Sequence, residues 1–299
     1  MRTTKRFTPA VLARFVRQGR GQGIHADYSA WHQVTRGDPS SRGRSHIVTL
    51  HGRPHDFLSD LERNTALQAW MHPEHHDLRE QYPLSLTAAP HELVAYRAAS
   101  PYRLYPGTLD LARKLGIRHP ILRFQGEQAP WVMTTDQLVT LKSADGKLRL
   151  IALSCKYTSD TNTPRRRQLL ALEREYWRVR GVPCRLITEK LLLPRVTDTL
   201  VRTWHWGLIS SPPPDHLEAA MWFARRLQCM PLHSILAHLR ERFNSMTAAQ
   251  EAFWRAVWLG RIPMRLTVGW RPTERVDLLP KDVFWAQNSV VSGGDAWTN

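Results

Sequence analysis

WVMTTDQLVTLKSADGKLRLIALSCKY, residues 131–157, is the stretch on which the fold turns. Short runs of apolar and β-branched residues flank Asp145-Gly146, a dipeptide that readily takes the backbone angles of a tight hairpin turn. Two antiparallel strands are therefore expected over roughly 131–142 and 147–157. The hairpin folds Asp136 back toward Lys156. Side chains alternate along a strand, so the loop decides which face the two residues share. A two-residue turn pairs Asp136 with Cys155 and leaves Lys156 pointing away; a three-residue or bulged loop pairs it with Lys156. The second arrangement is the expected one, and it brings Ser154 to the same face.

Working outward, Thr163-Pro164 starts a long helix through Leu169, Leu170, Leu172, Tyr176 and Trp177 that ends at Gly181, and Cys184 to Thr188 reads as a short strand. Upstream, Thr8-Pro9 opens an amphipathic helix ended near Gly19. Asp56 is placed to cap a helix from about Phe57 to Trp70, which carries Glu62. Helix, hairpin, helix and strand predict an α/β domain with a mixed sheet. Val196 to Pro214 reads as a connector, most flexible at Ser210-Ser211-Pro212-Pro213-Pro214. Beyond it, helices at about 215–228, 232–243 and 247–259 and a strand pair over about 262–279 are the parts of a winged helix.

The 299 residues include 42 Lys and Arg against 26 Asp and Glu, a net charge of +16 that favours polyanionic partners, nucleic acid first and a membrane surface second. The excess is +7 over 1–56, +7 over 57–196 and only +2 over 197–299, so phosphate contacts are expected in the first two thirds. No apolar run approaches the ~20 residues that cross a bilayer. Met1 to Gly23 lacks the uninterrupted apolar segment of a secretory signal, although its basic, acid-poor start has the composition of an organellar transit peptide. Cys155, Cys184 and Cys229 have neither disulfide nor zinc-site spacing, which fits a reducing cytoplasm.

Phosphodiester hydrolysis at neutral pH needs charge neutralised on the phosphate and a hydroxide-like nucleophile, which hard divalent cations held by carboxylates supply. Glu62, Asp136 and Lys156 are the candidates. Around them the chain resembles the TnsA subunit family of heteromeric bacterial transposases, endonucleases with a restriction-enzyme-like fold. The matching stretches run in family order over about residues 19–190. They are Gly19-Arg20-Gly21-Gln22-Gly23 with Asp27-Tyr28, Ser41-Arg42-Gly43-Arg44-Ser45-His46, Leu58-Ser59-Asp60-Leu61-Glu62, Arg79-Glu80-Gln81-Tyr82-Pro83-Leu84, His119-Pro120, Met133-Thr134-Thr135-Asp136 and Leu172-Glu173-Arg174-Glu175-Tyr176-Trp177.

The resemblance implies that Glu62, Asp136 and Lys156 occupy the catalytic positions of a motif related to the PD-(D/E)xK nucleases. It implies an α/β, restriction-endonuclease-like mixed sheet followed by a mainly helical winged-helix domain. The expected domains are then 1–196, a basic arm with the catalytic domain; 197–214, the connector; and 215–299, a partner-binding domain. It further implies cleavage at the 5′ ends of a transposon in double-stranded DNA, a DDE-type transposase subunit that cuts and joins the 3′ ends, and an AAA+ ATPase regulator met by the C-terminal domain. The expected setting is the bacterial cytoplasm, at the nucleoid when active. Matches from Gly19 onward argue against a transit peptide.

This chain has Ser154 where the nuclease motif has an acid. Glu62 and Asp136 are thus the expected ligands of one tightly held Mg²⁺, with Mn²⁺ as a substitute, and Lys156 orients the attacking water or offsets transition-state charge. Taken singly, Glu62 reads as complementing a helix dipole, and Asp136 and Lys156 as edge-strand charges. His72-Pro73-Glu74-His75-His76 lacks zinc-site spacing and reads as an exposed turn. Arg42 and Arg44, with Arg165, Arg166 and Arg167 at a helix start, are candidate DNA contacts; a solvated face is the plain alternative. Trp204, Trp206, Trp222, Trp254, Trp258, Trp270 and Trp285 should mostly be core, one or two anchoring a partner. A free-standing restriction-type nuclease and a catalytically silent DNA-binding assembly module are the rival readings.

Overall fold

The computed structural model describes residues 7–35 and 44–297. They form two compact units, one of residues 1–63, 74–189 and 295–299, the other of 64–73 and 190–294. The helix carrying Glu62, Asp60–Trp70, divides between them after Arg63.

The first unit is built on a four-stranded mixed sheet ordered Cys184–Ile187, Leu148–Cys155, Thr134–Lys142, His75–Pro83. The first pair is parallel and the other two are antiparallel. The expected hairpin is its centre. Ser143 and Lys147 close a loop of Ala144, Asp145 and Gly146, with Gly146 at φ +82°. That loop corrects the expected pairing: Gln137 lies opposite Leu153, so the register continues with Ser154, not Lys156, across from Asp136. The slip is two residues, and parity is unchanged.

The His75–Pro83 strand corrects a second expectation, because His75 and His76 open it and do not form an exposed turn. Hydrophobic patterning cannot reveal this strand. Asp77, Arg79, Glu80 and Gln81 are all buried in it. Glu80 is fully buried, holding Arg53 through two bonds of 2.6 and 2.8 Å and His55 at 3.1 Å. Arg53 and His55 come from Arg53–Phe57, the second strand of a small hairpin with His46–Leu50. Asp56 therefore does not cap the Glu62 helix; it lies in that strand and accepts from the Val34 amide at 2.8 Å.

Below one face of the sheet, Leu138, Leu150 and Ala152 pack with Leu172, Tyr176 and Trp177 of the Pro164–Val179 helix. Thr163 caps that helix and Pro164 opens it, as its sequence indicates. A smaller cluster of Leu12, Phe15 and Trp31 holds the Pro9–Arg17 helix, capped by Thr8.

In the second unit the stretch expected to be a connector is mostly helical: Pro194–Trp204 continues into a π-turn over His205–Ile209. Gly207 makes that turn possible, since a Cβ there would fall 2.1 Å from the Trp258 ring. Three helices follow as expected, Pro214–Arg226, Leu232–Phe243 and Met246–Trp258. The expected strand pair over 262–279 does not form; the Met264–Leu278 bridge is all that represents it among the described residues. Of the seven tryptophans, Trp254 and Trp258 are core, Trp222 is exposed, and the other four are half-buried, fewer core rings than expected.

Leu138 is fully buried where sheet meets helix. Leu138→Ala should cost about 2–5 kcal/mol, read as a lower urea midpoint at unchanged m-value. An unmoved midpoint would contradict this core.

Candidate active site

Where the central hairpin's ladder ends, Asp136 replaces a carbonyl as acceptor. Its Oδ2 takes the Cys155 amide at 2.6 Å and the Lys156 amine at 2.5 Å. Lys156 stands one residue beyond the strand, its own amide bound to Ile187 O at 3.0 Å. The sequence-derived pair is thus in direct contact, through a side chain reaching along the sheet and not through cross-strand register. Asp136 is 5 % exposed.

Glu62 comes from the start of its helix, where Ser59 is the cap. Ser59 Oγ accepts from the Glu62 amide at 3.2 Å, and the Glu62 carboxylate accepts from Ser59 Oγ at 3.1 Å and the Leu58 amide at 2.9 Å. This reciprocal capping box fixes the acid's rotamer. Gln81 holds it from the neighbouring strand, donating to Glu62 Oε2 at 3.0 Å while its own Oε1 accepts from Thr134 Oγ1 at 3.3 Å. Gln81 has φ +48°, a left-handed kink in the edge strand. Gln137 donates to the Glu62 carbonyl at 2.5 Å.

A third carboxylate belongs to the cluster and was not singled out in the sequence. Glu173, 4 % exposed, accepts from Thr135 Oγ1 at 2.8 Å and Ser154 Oγ at 3.1 Å. Ser154, which cannot supply a charged ligand, thus docks an acid from the next helix. A signal existed: Glu173 lies four residues after Leu169 and four before Trp177, on the apolar stripe of its helix, where an unpaired acid is costly. Thr135 is fixed in turn by Trp177 Nε1 at 2.7 Å.

Three acids therefore surround one amine. Burial, reinforced by the charge of Asp136, raises Glu62 from 4.5 to about 7 against the pull of the Leu58 amide and Lys156. Burial likewise raises Glu173 to about 7; Lys156 opposes this and Asp136 adds to it. Burial works against the Lys156 charge, yet Asp136, then Glu173 and Glu62, outweigh it and hold the amine above the ordinary lysine range. The arrangement keeps Lys156 charged and leaves an excess of carboxylate for an added cation to neutralise. Among the described residues no three His, Cys, Asp or Glu side chains are grouped to hold a metal by themselves.

Beside the cluster opens a cavity of about 340 Å³ lined by Lys156, Glu173, Arg166, Trp131 and Leu169 among others. Arg166 pairs with Asp160, Arg167 bonds the carbonyls of Thr161 and Asn162, and Arg165 meets Gln168. Of the five arginines expected to contact DNA, only Arg166 lines this opening. Arg44 is largely exposed, 3.7 Å from Asp60; Arg42 lies outside the described residues.

With this geometry in place, comparison with known proteins gives two matches. Residues 74–189 match the family described as TnsA-like endonuclease N terminal. The transposon Tn7 transposition protein TnsA of Escherichia coli is 33% identical over 196 residues, 65% of this chain and 62% of that protein. The match thus spans less than two thirds of the relative's length.

A carboxyl group whose pKa rises on folding makes the native chain bind more protons than the unfolded one between the two values. Stability should therefore fall as pH rises from about 4.5 to about 7 in metal-free buffer. Glu62→Gln or Glu173→Gln should flatten that fall, as measured by urea unfolding; equal slopes in native and variant chains would contradict the burial of these acids.

Proposed function

We propose, from the match of residues 74–189 to the family described as TnsA-like endonuclease N terminal, that the chain is the DNA-cleaving subunit of a transposase, hydrolysing phosphodiesters at the 5′ ends of a transposon. The observation that carries the proposal is the direct Asp136–Lys156 contact amid two further buried acids. An unrelated buried ion pair gains nothing from such an excess of carboxylate, whereas a phosphodiester hydrolase can use it to hold a hard cation.

The donor set fits Mg²⁺, which is usually held by one or two carboxylates and completed by water and substrate phosphate. Glu62 and Asp136 are the proposed ligands, with Mn²⁺ able to substitute. When bound, the cation supplies charge neutralisation at the phosphate and lowers the pKa of water. The protein's own contribution is positional. Ser59 and Gln81 fix Glu62, the Cys155 amide fixes Asp136, and Lys156 presents a permanent charge to the phosphate oxygens or orients the attacking water. Ser154 and Glu173 close the buried side.

The remaining roles rest on the same reading. A DDE-type transposase subunit would cut the other strand and contribute end recognition. The second unit, kept as a relative of the winged helix with a shortened wing, would dock the AAA+ ATPase regulator. The small charge excess of residues 197–299 and the exposed Trp222, Met230 and Met246 support protein docking over DNA binding. Among the described residues no helix is long and apolar enough to cross a membrane, and the proposed setting is the bacterial cytoplasm, at the nucleoid during transposition.

Glu62→Ala and Asp136→Ala should each abolish strand cleavage in the assembled complex while leaving assembly intact. Lys156→Ala should lower the rate by about 10²-fold or more with metal binding kept. Full nicking by either acid variant would overturn the site. Rapid cutting of naked DNA by the purified chain alone would favour a free-standing nuclease, and absence of any metal uptake a silent assembly module.

A further inference from the structure

At the far end of the same strands lies a second, differently charged cavity. Lys142 is six residues from Asp136 along one strand, about 20 Å at ~3.3 Å per residue. There a hollow of about 410 Å³ is lined by His25, His76, Tyr96, Arg97 and Lys142 with small and apolar residues, and among the described residues no acid lines it. The His25 and His76 rings meet edge to face at 4.8 Å, and both face Tyr96, at 5.7 and 6.0 Å.

The carboxylate beside it is Asp77, 5 % exposed, and it is already committed. It accepts from Tyr96 Oη at 2.5 Å, the His25 amide at 3.0 Å and the Leu78 amide at 2.8 Å. Beneath Tyr96, the buried guanidinium of Arg79 stacks at 5.2 Å and sets a positive charge against Asp77. His25 Nδ1 comes only to 3.9 Å of Asp77. Lys142 and Arg97 at the rim are thus unbalanced. Burial, then the neighbouring His25 and Lys142, push His76 below its ordinary value, with Asp77 opposing.

An assembly of two imidazoles, an ammonium and a guanidinium around an aromatic wall suits a phosphate group. Nothing in the hydrolytic site uses it. We propose that this cavity binds a backbone phosphate of duplex DNA about half a helical turn from the cut, clamping the flanking duplex across the sheet. The anion site follows from the lining; its assignment to DNA rests on the nuclease reading.

The test uses the full chain, a random-sequence duplex and, separately, inorganic phosphate. DNA affinity is measured against salt for the native chain and for the double variant His76→Gln, Lys142→Ala. The slope of log affinity against log salt should shrink by about 0.9 for each phosphate that the variant no longer neutralises. In the assembled complex the double variant should need a higher DNA concentration for half-maximal cleavage. The His76 ring, followed by NMR, should titrate at higher pH with the duplex bound, since an anion favours the imidazolium. A His76 shift with inorganic phosphate but none with duplex, and an unchanged salt slope, would reassign the cavity to a small phosphorylated ligand and overturn the DNA assignment. No shift with either would overturn the site. Loss of cleavage in Asp136→Ala alongside either negative result would show that the nuclease reading stands without this clamp.

Discussion

One carboxylate oxygen organises the first unit: Asp136 Oδ2 binds the Cys155 amide and the Lys156 amine where the two central strands part. A ladder that simply continued would pair backbone with backbone and leave both side chains to solvent. Because the acid takes the amide, the strands separate where the Asp136–Lys156 pair stands. The short, charge-assisted contacts there resist the loss of solvation that burial imposes.

Two polar networks hold the remaining acids in place. The Ser59–Glu62 capping box and Gln81 set one. Ser154, Thr135 and Trp177 set the other around Glu173. Behind Gln81, the fully buried Glu80 with Arg53 and His55 pins the edge strand to a separate hairpin. A kink at Gln81 can then be kept, because the residue before it is fixed by charged hydrogen bonds. Burial and the Asp136 charge raise Glu62 and Glu173 to about 7, so their ionisation at neutral pH works against folding.

Charge is arranged by position on the sheet. The acids gather at one end, with Lys156 among them, while His25, His76, Arg97 and Lys142 gather at the other. The C-terminal third, residues 197–299, carries little net charge and exposes apolar side chains such as Trp222 instead.

The hairpin around Asp145-Gly146, the capped helix from Pro164 and the three helices of the second unit were set by local chemistry, since turn dipeptides, caps and helical periodicity act within a few residues. Glu62, Asp136 and Lys156 were singled out from ordered motifs that resemble a nuclease family, and the structure puts Asp136 in contact with Lys156. The edge strand from His75 was not legible, because it buries charged residues, Glu80 among them bound by Arg53 and His55 from a distant hairpin, and these erase the alternating pattern. Nor was Ser59 as the cap in place of Asp56, which packs against Val34. Only the tertiary structure could recruit Glu173, because an acid on an apolar helix face has meaning only once Ser154 and Thr135 stand opposite it.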